Sequence, residues 1–503
     1  MNAATGQTLA SAQQEAANPE AVLRSLGDAA SEIRSRLGES LASVERFDAP
    51  IEQATTSSLE ALKAFSLGNQ RRFEGRELEA VPFYEHAIQL DPNFAMAYAR
   101  LSVIYSNIGN NTKSAHYAAE AYDRRDRVSA RERFYITARQ EAMTGQHLAL
   151  EKTYELWKQT YPRDTTPRNN LSIVLSKRGE FERAIQEATE ANRLDPSMPF
   201  PYGNLCFGYI MLNRVSEAKA IIERGLAVRP AYGELHACSY VVAYLEKDTV
   251  TMQRVISETE KAGILGPLPL MQIRATLASG KLREAVSQLS ALERFSTQRG
   301  IQGAFADGIS AVAGELLLVG ATDASIQYAE RSLELSSDGE TMWAVPVVLF
   351  AAGRISKAAT IQTAQSKRSF ADPHYKSVWA PAATATAAMA RGEYSTAVDA
   401  LAAAEPFERV YPFVTLIRGE ALLAAGRANE AAAAFRKAID GRFALEPTVL
   451  GPVGHIWLAR ALAKSGDAAG ARREYQDAFA ILKDADPDLP ILVEARKEYG
   501  ELR

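Results

Sequence analysis

The side chains that could perform chemistry in this sequence are few: six histidines and two cysteines. Histidine serves as a general base or a metal ligand, and a cysteine thiolate serves as a nucleophile or a ligand for soft metals. Each role needs partners close by, yet no two histidines are four residues apart. Two cysteines alone complete neither a disulfide framework nor a zinc site. The sequence therefore predicts no metal centre.

Motifs that bind nucleotides or activate a serine are missing as well. There is no phosphate-binding loop of the G-x-x-x-x-G-K-[ST] or G-x-G-x-x-G type and no G-x-S-x-G elbow. The acidic run DADPDLP (484–490) lacks the central glycine and the final glutamate of a calcium loop. We interpret it as a solvated turn, and we expect neither enzymatic activity nor a cofactor.

Length, composition and net charge limit the classes of protein to which the chain can belong. Of 503 residues, 47% are apolar and 23% charged, which is typical of folded proteins, and the length suits several domains or a repeat array. The net charge of −4 gives no reason to expect a nucleic-acid partner. The densest basic run, RRDRVSARER (124–133), is interrupted by two acidic residues. It favours a solvated connection, with an anionic docking site as the alternative.

Segments for targeting or membrane insertion are not visible. The first twenty residues have neither a basic flank nor an apolar run, and no 18-residue apolar stretch occurs anywhere. We expect a cytoplasmic protein without direct membrane insertion. A periplasmic location is the alternative if the chain is part of a membrane-anchored receptor.

A period of 34 residues organises the chain. Pro162, Pro196 and Pro230 are 34 residues apart. Ahead of Pro196, Ala184, Ala188 and Ala191 are spaced by four and three, and the first and last of them recur one period later as Ala218 and Gly225, whereas Leu150 stands at the alanine position ahead of Pro162. The same offsets recur in AVPFYEHAIQLDP (80–92), NEAAAAFRKAID (429–440) and GARREYQDAFA (470–480). Residues at this spacing share one helix face, and small residues there let two helices approach closely. The period therefore indicates stacked helical hairpins.

Each hairpin should contain a turn between its two helices. Glycine or asparagine, which tolerate the left-handed backbone of such a turn, recur at the expected places. These residues are Gly179, Asn213, Gly280, Gly320, Gly353, Gly392, Gly426 and Gly466. From Gly280 onward their spacing alternates between short and long values, so some connections have grown by about one helical turn.

This pattern resembles the tetratricopeptide repeat. Leu67-Gly68, Ala80, Tyr84, Ala87 and Pro92 follow its order of residue types, as do several later units. The resemblance implies an all-α fold, a right-handed α-α superhelix of about twelve hairpins. We predict an N-terminal array over 51–265 and a more divergent array over 266–503. The latter ends in a closing helix with Leu489, Ile491, Leu492 and Ala495 on its apolar face.

The first fifty residues differ from the repeats. An apolar stripe predicts an amphipathic helix over 19–47, after a short strand with a Thr-Gly turn. With FDAPIEQATTSSLEALKAFSLG (47–68), this resembles a junction in large bacterial signalling proteins. There a serine/threonine kinase or winged-helix domain precedes a small α/β domain and a repeat array. No kinase motif is present, so residues 1–50 are expected to be an α+β remnant or a cap on the first repeats.

The resemblance also implies where partners bind. The first helices of such repeats line a concave groove, and most of the side chains placed there are apolar or aromatic. The groove candidates are Phe65, Asn69, Tyr135, Arg139, Phe200, Asn204, Phe207, Met211, Tyr244, Trp343, Phe350, Trp379, Phe413 and Trp457. They suit an extended or helical peptide. The alternative is that these aromatic residues pack as core, against one another or against the predicted N-terminal helix.

Two smaller expectations concern polar residues. Asn69 and Asn204 match positions that clamp a C-terminal carboxylate in some relatives, but they lie in repeats too far apart to act together. Cys206 and Cys238 fall at nearly equivalent places in adjacent units, so we expect neighbouring, buried thiols. Redox switching is the alternative for the cysteines.

Together these observations predict a protein-interaction scaffold in bacterial signalling or regulation, with a protein or peptide partner. The second hypothesis is a sensory or autoregulatory region that contacts an effector domain, a kinase or a DNA-binding domain of the same system. The third is an unrecognised hydrolase or transferase.

Overall fold

The computed structural model describes residues 8, 10–17, 21–36, 55–336, 339–368, 374–441 and 447–502. These residues are largely α-helical, and none of them forms a strand. The chain divides into two compact units, unit 1 (Met1–Tyr161) and unit 2 (Pro162–Arg503). No described helix is both long and apolar enough to cross a membrane.

Among its described residues, unit 1 contains one separate helix and three hairpins, numbered 1 to 3. The separate helix is α1 (Val22–Arg36), and the hairpins are α2 (Leu59–Phe73) with α3 (Glu77–Leu90), α4 (Ala95–Asn107) with α5 (Asn111–Asp123), and α6 (Ala130–Met143) with α7 (His147–Thr160).

Unit 2 contains hairpins 4 to 12 and a closing helix. Hairpins 4 to 8 are α8 (Thr165–Lys177) with α9 (Phe181–Leu194), α10 (Phe200–Met211) with α11 (Val215–Val228), α12 (Gly233–Leu245) with α13 (Thr249–Ala262), α14 (Leu268–Ala278) with α15 (Leu282–Gln298), and α16 (Ala306–Leu318) with α17 (Thr322–Leu335). Hairpins 9 to 12 are α18 (Gly339–Ala351) with α19 (Ile355–Arg368), α20 (Ala380–Ala390) with α21 (Tyr394–Ala400), α22 (Pro412–Ala424) with α23 (Ala428–Gly441), and α24 (Leu450–Lys464) with α25 (Ala468–Ile481). The closing helix is α26 (Pro490–Glu501).

The predicted turns are confirmed, because every hairpin turns at a residue with positive φ. These are Gly75, Gly109, Gly145, Gly179, Asn213, Lys247, Gly280, Gly320, Gly353, Gly392, Gly426 and Gly466. Gly75, Gly109, Gly145 and Lys247 are additional to the predicted turn residues, and Lys247, at φ 60°, is the one described hairpin turn that is neither glycine nor asparagine.

The small-residue stripes are confirmed as the contact faces of the second helices. Ala80, Tyr84 and Ala87 in α3 have no exposed surface, and Ala184, Ala188 and Ala191 in α9 are at most 3% exposed. The helices α7, α9 and α11 each end two residues before Pro162, Pro196 and Pro230. Proline disfavours helical backbone in the residue before it, which explains this regular termination.

Two of the three longer spacings in unit 2 include irregular helical turns between hairpins, and the connection within the third, between Gly426 and Gly466, lies partly outside the described residues. Residues Gln302–Phe305 form a 3-10 turn ahead of α16, and Tyr375–Trp379 form a π-helical turn that leads into α20. Each insertion lengthens a connection, so the stacked hairpins keep their own internal spacing.

Residues 1–50 are described only in part. Of the helix predicted over 19–47, Val22–Arg36 is helical and 37–47 lies outside the described residues. Most of the predicted strand and its Thr-Gly turn, residues 1–7 and 9, lies outside them too, whereas 10–17 form no strand. Helix α1 contacts the preceding segment, where Ser25 donates to the carbonyl of Glu15. Its role as a cap stays a prediction.

The closing helix lies on the turns of hairpins 7 and 8. The backbone N–H of Ile491 donates to the carbonyl of Val319 at 3.2 Å, and that of Asp486 donates to Gly280 at 3.1 Å. Leu489 and Leu492 are fully buried, which confirms the predicted apolar face. The acidic run that precedes α26 is used within the fold, because Asp486 accepts from the backbone N–H of Arg283 at 2.9 Å.

A pair of glycine substitutions tests how tightly the hairpins pack. A Cβ at Gly419 in α22 would lie 2.4 Å from a ring carbon of Phe435, which is fully buried. We expect Gly419→Ala to cost about 1–3 kcal/mol in the free energy of unfolding, because a buried aromatic ring must shift. Urea unfolding followed by tryptophan fluorescence measures this.

Gly314 in α16 is the matched control. Its Cβ would meet Val348 at an ordinary 3.8 Å, so Gly314→Ala should stabilise the helix by up to about 1 kcal/mol through helix propensity. A similar loss in both variants would contradict the close-packing explanation.

Candidate interaction surface on the first helices

The first helices of the hairpins form the inner layer of each stack. In unit 2, α8 contacts α10, α10 contacts α12, and α18 contacts α20, in addition to the second helix of each hairpin. Successive second helices of the described hairpins share far fewer contacts. The predicted groove residues belong to this inner layer, except Trp379, which lies in the π-helical turn ahead of α20.

In unit 1, Phe65 and Asn69 of α2 are engaged with their neighbours. Phe65 is buried, and its ring lies 5.4 Å from that of Tyr84 and 4.8 Å from that of Phe94. Asn69 accepts a hydrogen bond from the Tyr84 hydroxyl at 2.8 Å. Burial raises the pKa of Tyr84 to about 12, although Arg72 and Arg100 oppose that effect. Phe65 therefore belongs to the core, and Asn69 orients the hydroxyl of Tyr84.

Tyr135 and Arg139 of α6 lie together on the same face and are partly exposed. The Tyr135 hydroxyl accepts from Arg100 at 2.9 Å, and Arg139 donates to the hydroxyl of Ser102 at 2.8 Å. Residues from α4 and α6 therefore meet here. Neither Arg72 nor Arg100 was predicted from the sequence pattern. The available signal was that the first helices of hairpins 1 and 2, which precede the helix of Tyr135 and Arg139, each carry one of these arginines.

In hairpin 5, three of the predicted residues contact side chains of hairpin 4. Asn204 donates to Asn169 at 3.0 Å and to Ser172 at 3.0 Å, so it joins two first helices. Met211 is buried beside Phe181. Phe207 is 46% exposed, and its ring meets that of Phe181 edge-on, with the ring centres 6.4 Å apart.

Three further aromatic candidates, from hairpins 5, 6 and 9, are partly or fully buried. Phe200 is partly exposed, and its ring meets that of Tyr232 edge-on, with the ring centres 6.1 Å apart. Tyr244 is partly buried against a cluster that contains Tyr240. Trp343 is buried, with its ring 5.7 Å from that of Tyr375.

The last four predicted residues are Phe350, Trp379, Phe413 and Trp457, which lie in hairpins 9 to 12 or in the turn ahead of α20. Phe350 is buried. Trp379 and Phe413 are partly exposed, and their rings stack with centres 4.9 Å apart. Trp457 is partly exposed, stacks on Phe435 and lies under the guanidinium of Arg460 at 4.6 Å. The predicted set therefore divides into core residues and residues that still reach solvent, and its binding role remains a proposal.

The two cysteines are neighbours, as the repeat register predicted. Cys206 is buried, and Cys238 packs against the same cluster. Burial, together with the adjacent Cys238 thiol, raises the pKa of the Cys206 thiol well above its ordinary value. Such a thiol is a poor nucleophile near neutral pH, which favours packing over reactivity.

The basic run 124–133 makes local contacts. Arg124 pairs with Glu120 at 2.8 Å and donates to the carbonyl of Pro92 at 2.8 Å, while Arg125 lies 3.8 Å from the ring centre of Tyr122. These contacts fit a connection between hairpins 2 and 3.

One arrangement was not visible from the sequence. His455 of α24 and Glu474 of α25 are 2.7 Å apart, and donor atoms of both residues and of Asp477 lie within 4.8 Å of one another. Two helices of one hairpin supply these residues, so spacing along the chain does not reveal them. A hydrogen bond from the imidazole to the carboxylate accounts for the short contact.

Comparison with known proteins places repeats in both units. One sequence model of the tetratricopeptide repeat matches residues 83–116, and a second matches residues 412–437 and 452–477. No curated protein sequence matches the chain.

Solved structures resembling the fold include three repeat proteins. The type IV pilus biogenesis factor PilW is 13% identical, with a TM-score of 0.31 over 42% of this chain and 97% of its own. YrrB, described as having an unusual peptide-binding site, is 16% identical, with a TM-score of 0.22 over 35% of this chain and 89% of its own. The Cut9–Hcn1 tetramer of APC/C gives 12% identity and a TM-score of 0.41 over 93% of this chain and 80% of the matched one.

Proposed function

We propose that this chain, which carries tetratricopeptide repeats, is a scaffold that captures protein or peptide partners on its inner layer, within bacterial signalling or regulation. The proposal includes a non-enzymatic role and a cytoplasmic location. A periplasmic location would apply if the chain belongs to a membrane-anchored receptor.

The observation that carries the proposal is the environment of Phe207. Its neighbours Leu205, Cys206 and Gly208 on α10 are buried, yet the Phe207 ring remains 46% exposed. Large aromatic side chains that are anchored at one edge and open at the other are typical binding hot spots. Trp379 is similar, because it stacks on Phe413 and is partly exposed.

The test is affinity capture from the source lysate with the full chain. We expect Phe207→Glu to reduce recovery of the partner at least tenfold, because a charge would have to be buried in the contact. Trp379→Glu should do the same if the contact extends along unit 2, and helix content measured by circular dichroism should stay unchanged.

Val250→Glu is the matched control. Val250 lies on the second helix α13 and is 77% exposed, so the same substitution changes an apolar surface outside the inner layer. Equal loss of the partner in the Val250 and Phe207 variants would contradict binding at the inner layer. Loss of helix content in the Phe207 variant would show a core role instead.

One observation favours the second candidate function, an autoregulatory region of a larger signalling system. Unit 2 covers part of its inner layer with its own chain: the Thr448 hydroxyl, ahead of α24, donates to Glu315 of α16 at 2.9 Å. An array that contacts itself in this way could also contact an attached effector domain. Capture of no partner by any variant, together with a kinase or DNA-binding domain encoded upstream, would favour this candidate.

A further inference from the structure

Three side chains of metal-ligating type meet on the last hairpin of unit 2. His455 belongs to the first helix, α24, whereas Glu474 and Asp477 lie three residues apart on the second helix, α25. The imidazole Nδ1 is 2.7 Å from a carboxylate oxygen of Glu474, and donor atoms of all three residues lie within 4.8 Å of one another. We call these three residues the hairpin 12 cluster.

The core of the hairpin holds the two helices that carry the hairpin 12 cluster. On α25, Ala471, Tyr475 and Ala478 form a stripe that is at most 1% exposed, and α25 is in extensive contact with α24. Glu474 and Asp477 flank that stripe at a spacing that places both on one face of the helix. Packing therefore fixes the backbone positions of the three ligands in advance, which favours binding.

The two carboxylates of the cluster lack a permanent cation. Among the described residues, the imidazole of His455 is the one partner of the Glu474 side chain, and the Asp477 side chain has neither a hydrogen bond nor an ion pair. Nearby acidic residues differ, because Glu494 and Glu498 of α26 both pair with Arg460. Negative charge that is not neutralised, beside an imidazole nitrogen, attracts a metal cation.

The hairpin 12 cluster is open to solvent. The side chains of His455 and Glu474 are 19% and 22% exposed, and Asp477 is exposed. An ion can therefore reach all three residues without unfolding of the hairpin. The partial burial of two of the ligands also strengthens their attraction for a cation, since charges interact more strongly away from bulk water.

The spacing of the donor atoms suits a small divalent ion. When ligand atoms surround zinc tetrahedrally at about 2.0–2.1 Å, they lie roughly 3.3 Å from one another. That spacing falls between the 2.7 Å of the closest pair and the 4.8 Å that bounds the cluster. Rotation of side chains, above all that of the exposed Asp477, is sufficient to reach it.

We propose that His455, Glu474 and Asp477 bind a zinc ion. Imidazole nitrogen and carboxylate oxygen are ligands of zinc, whereas magnesium and calcium prefer oxygen alone and copper(I) prefers sulfur. The hydrogen bond between His455 and Glu474 is then the arrangement of the metal-free chain. On binding, zinc takes the place of the Nδ1 proton, which passes to Nε2 or to solvent.

The bound ion has two structural consequences. Because the ligands come from both helices of one hairpin, zinc joins α24 to α25 and stabilises hairpin 12. Three protein ligands also leave one tetrahedral position of the ion to water or to a side chain of a partner. The site goes beyond the scaffold function, since none of its three residues is among the candidates of the inner layer.

The test is a calorimetric titration of the full chain with zinc chloride near neutral pH, after removal of any purification tag. Zinc should bind at a single site, and magnesium and calcium should not bind there. Zinc should also raise the midpoint of thermal unfolding, because an ion that binds only the folded chain stabilises it.

Two substitutions within the cluster should weaken zinc binding. Asp477→Asn changes an exposed side chain at constant size, so it leaves the fold intact, and His455→Gln removes the nitrogen ligand. Each should raise the Kd for zinc by about tenfold or more, since the loss of a group that merely supports a ligand commonly costs that much. The zinc-dependent rise in the unfolding midpoint should disappear with them.

His86→Gln and Asp323→Asn are the matched controls. His86 is exposed on α3 in unit 1, and Asp323 is exposed on α17 in hairpin 8. They make the same chemical changes away from the hairpin 12 cluster. Each should leave the Kd for zinc within about twofold, because salt screens exposed charges that are far from the site.

Cobalt(II), a coloured substitute for zinc, identifies the ligands. Nitrogen and oxygen ligands give weak visible bands, whereas a cysteine thiolate adds an intense near-ultraviolet band. We expect the visible bands alone, and we expect them to be lost in Asp477→Asn. An intense near-ultraviolet band that persists in that variant would overturn the proposal and place the metal at Cys206 and Cys238.

Other results would overturn the proposal as well. They include the absence of zinc binding, an unchanged Kd in both His455→Gln and Asp477→Asn, and an equal loss in the two control variants. Magnesium binding as tight as that of zinc would exclude the imidazole as a ligand and leave only a weak carboxylate contact.

Discussion

Replacing Glu315 by leucine is expected to destabilise unit 2 by about 3–5 kcal/mol, because it leaves a buried guanidinium without its carboxylate. Glu315 in α16 accepts from Arg274 in α14 at 2.6 Å, and the two side chains are 9% and 13% exposed. Thr448 donates to the same carboxylate oxygen at 2.9 Å. One charge therefore connects three segments of the unit.

The double variant Glu315→Leu, Arg274→Met distinguishes charge from packing. Removal of both charges should recover most of the lost stability, because apolar side chains of similar volume often replace a buried ion pair without loss. Urea unfolding followed by fluorescence is suitable, since three of the four tryptophans, Trp343, Trp379 and Trp457, lie in unit 2.

Arg283→Gln provides the control for that cycle. Arg283 pairs with Asp488, and both side chains are about two-thirds exposed, so its loss should have little measurable effect. If Glu315→Leu were as harmless as Arg283→Gln, the buried pair would not stabilise unit 2.

Glu420→Gln is expected to stabilise the protein at pH 8 by roughly 3 kcal/mol and to leave it unchanged at pH 4. Burial raises the pKa of Glu420 to about 7, although Arg460 opposes this. The charge of Arg460 is already shared with Glu494 and Glu498, at 3.2 and 3.0 Å. It therefore compensates the buried carboxylate incompletely.

The sign of the pH dependence follows from proton binding. Between the ordinary glutamate value near 4.5 and about 7, the folded chain holds a proton at Glu420 that the unfolded chain has lost. Stability from this group is therefore lost as pH rises through that interval and stays low above it. Glutamine cannot titrate, so its advantage should appear over the same interval.

Thermal unfolding of the two proteins from pH 4 to pH 8 measures the effect. Glu430→Gln, on the exposed face of the same hairpin, should show no such gain, because Glu430 pairs with Arg427 in solvent. A constant difference between Glu420→Gln and the parent protein at all pH values would contradict a raised pKa.

The predictions for Glu315 and Glu420 both depend on contacts between hairpins, which the 34-residue period does not reveal. The sequence alone was sufficient for the hairpins: the positive-φ turns, the buried alanine stripes and the helix ends before proline all follow from local offsets within a unit of 34 residues. The buried face of α26 and the neighbouring cysteines were predicted for the same reason. Short-range spacing fixes which side chains share a helix face.

The inner-layer residues were predicted less completely. The repeat register placed Phe65, Phe207 and Trp343 on first helices, but it could not separate the exposed Phe207 from the buried Phe65 and Trp343. That difference depends on which neighbour fills the space over each ring. Arg100 was missed because its role arises only where Tyr135 of the next hairpin lies beside it.

The sequence by itself thus determined the repeating hairpin, its turns and its contact faces, because these arise from interactions within one or two units. Tertiary structure alone decided which charges meet. Glu315 and Thr448 are 133 residues apart, and Arg72, Arg100 and Arg139 come from three different hairpins. Packing at the interfaces between hairpins within each unit sets such distances, and no single motif of the sequence encodes it.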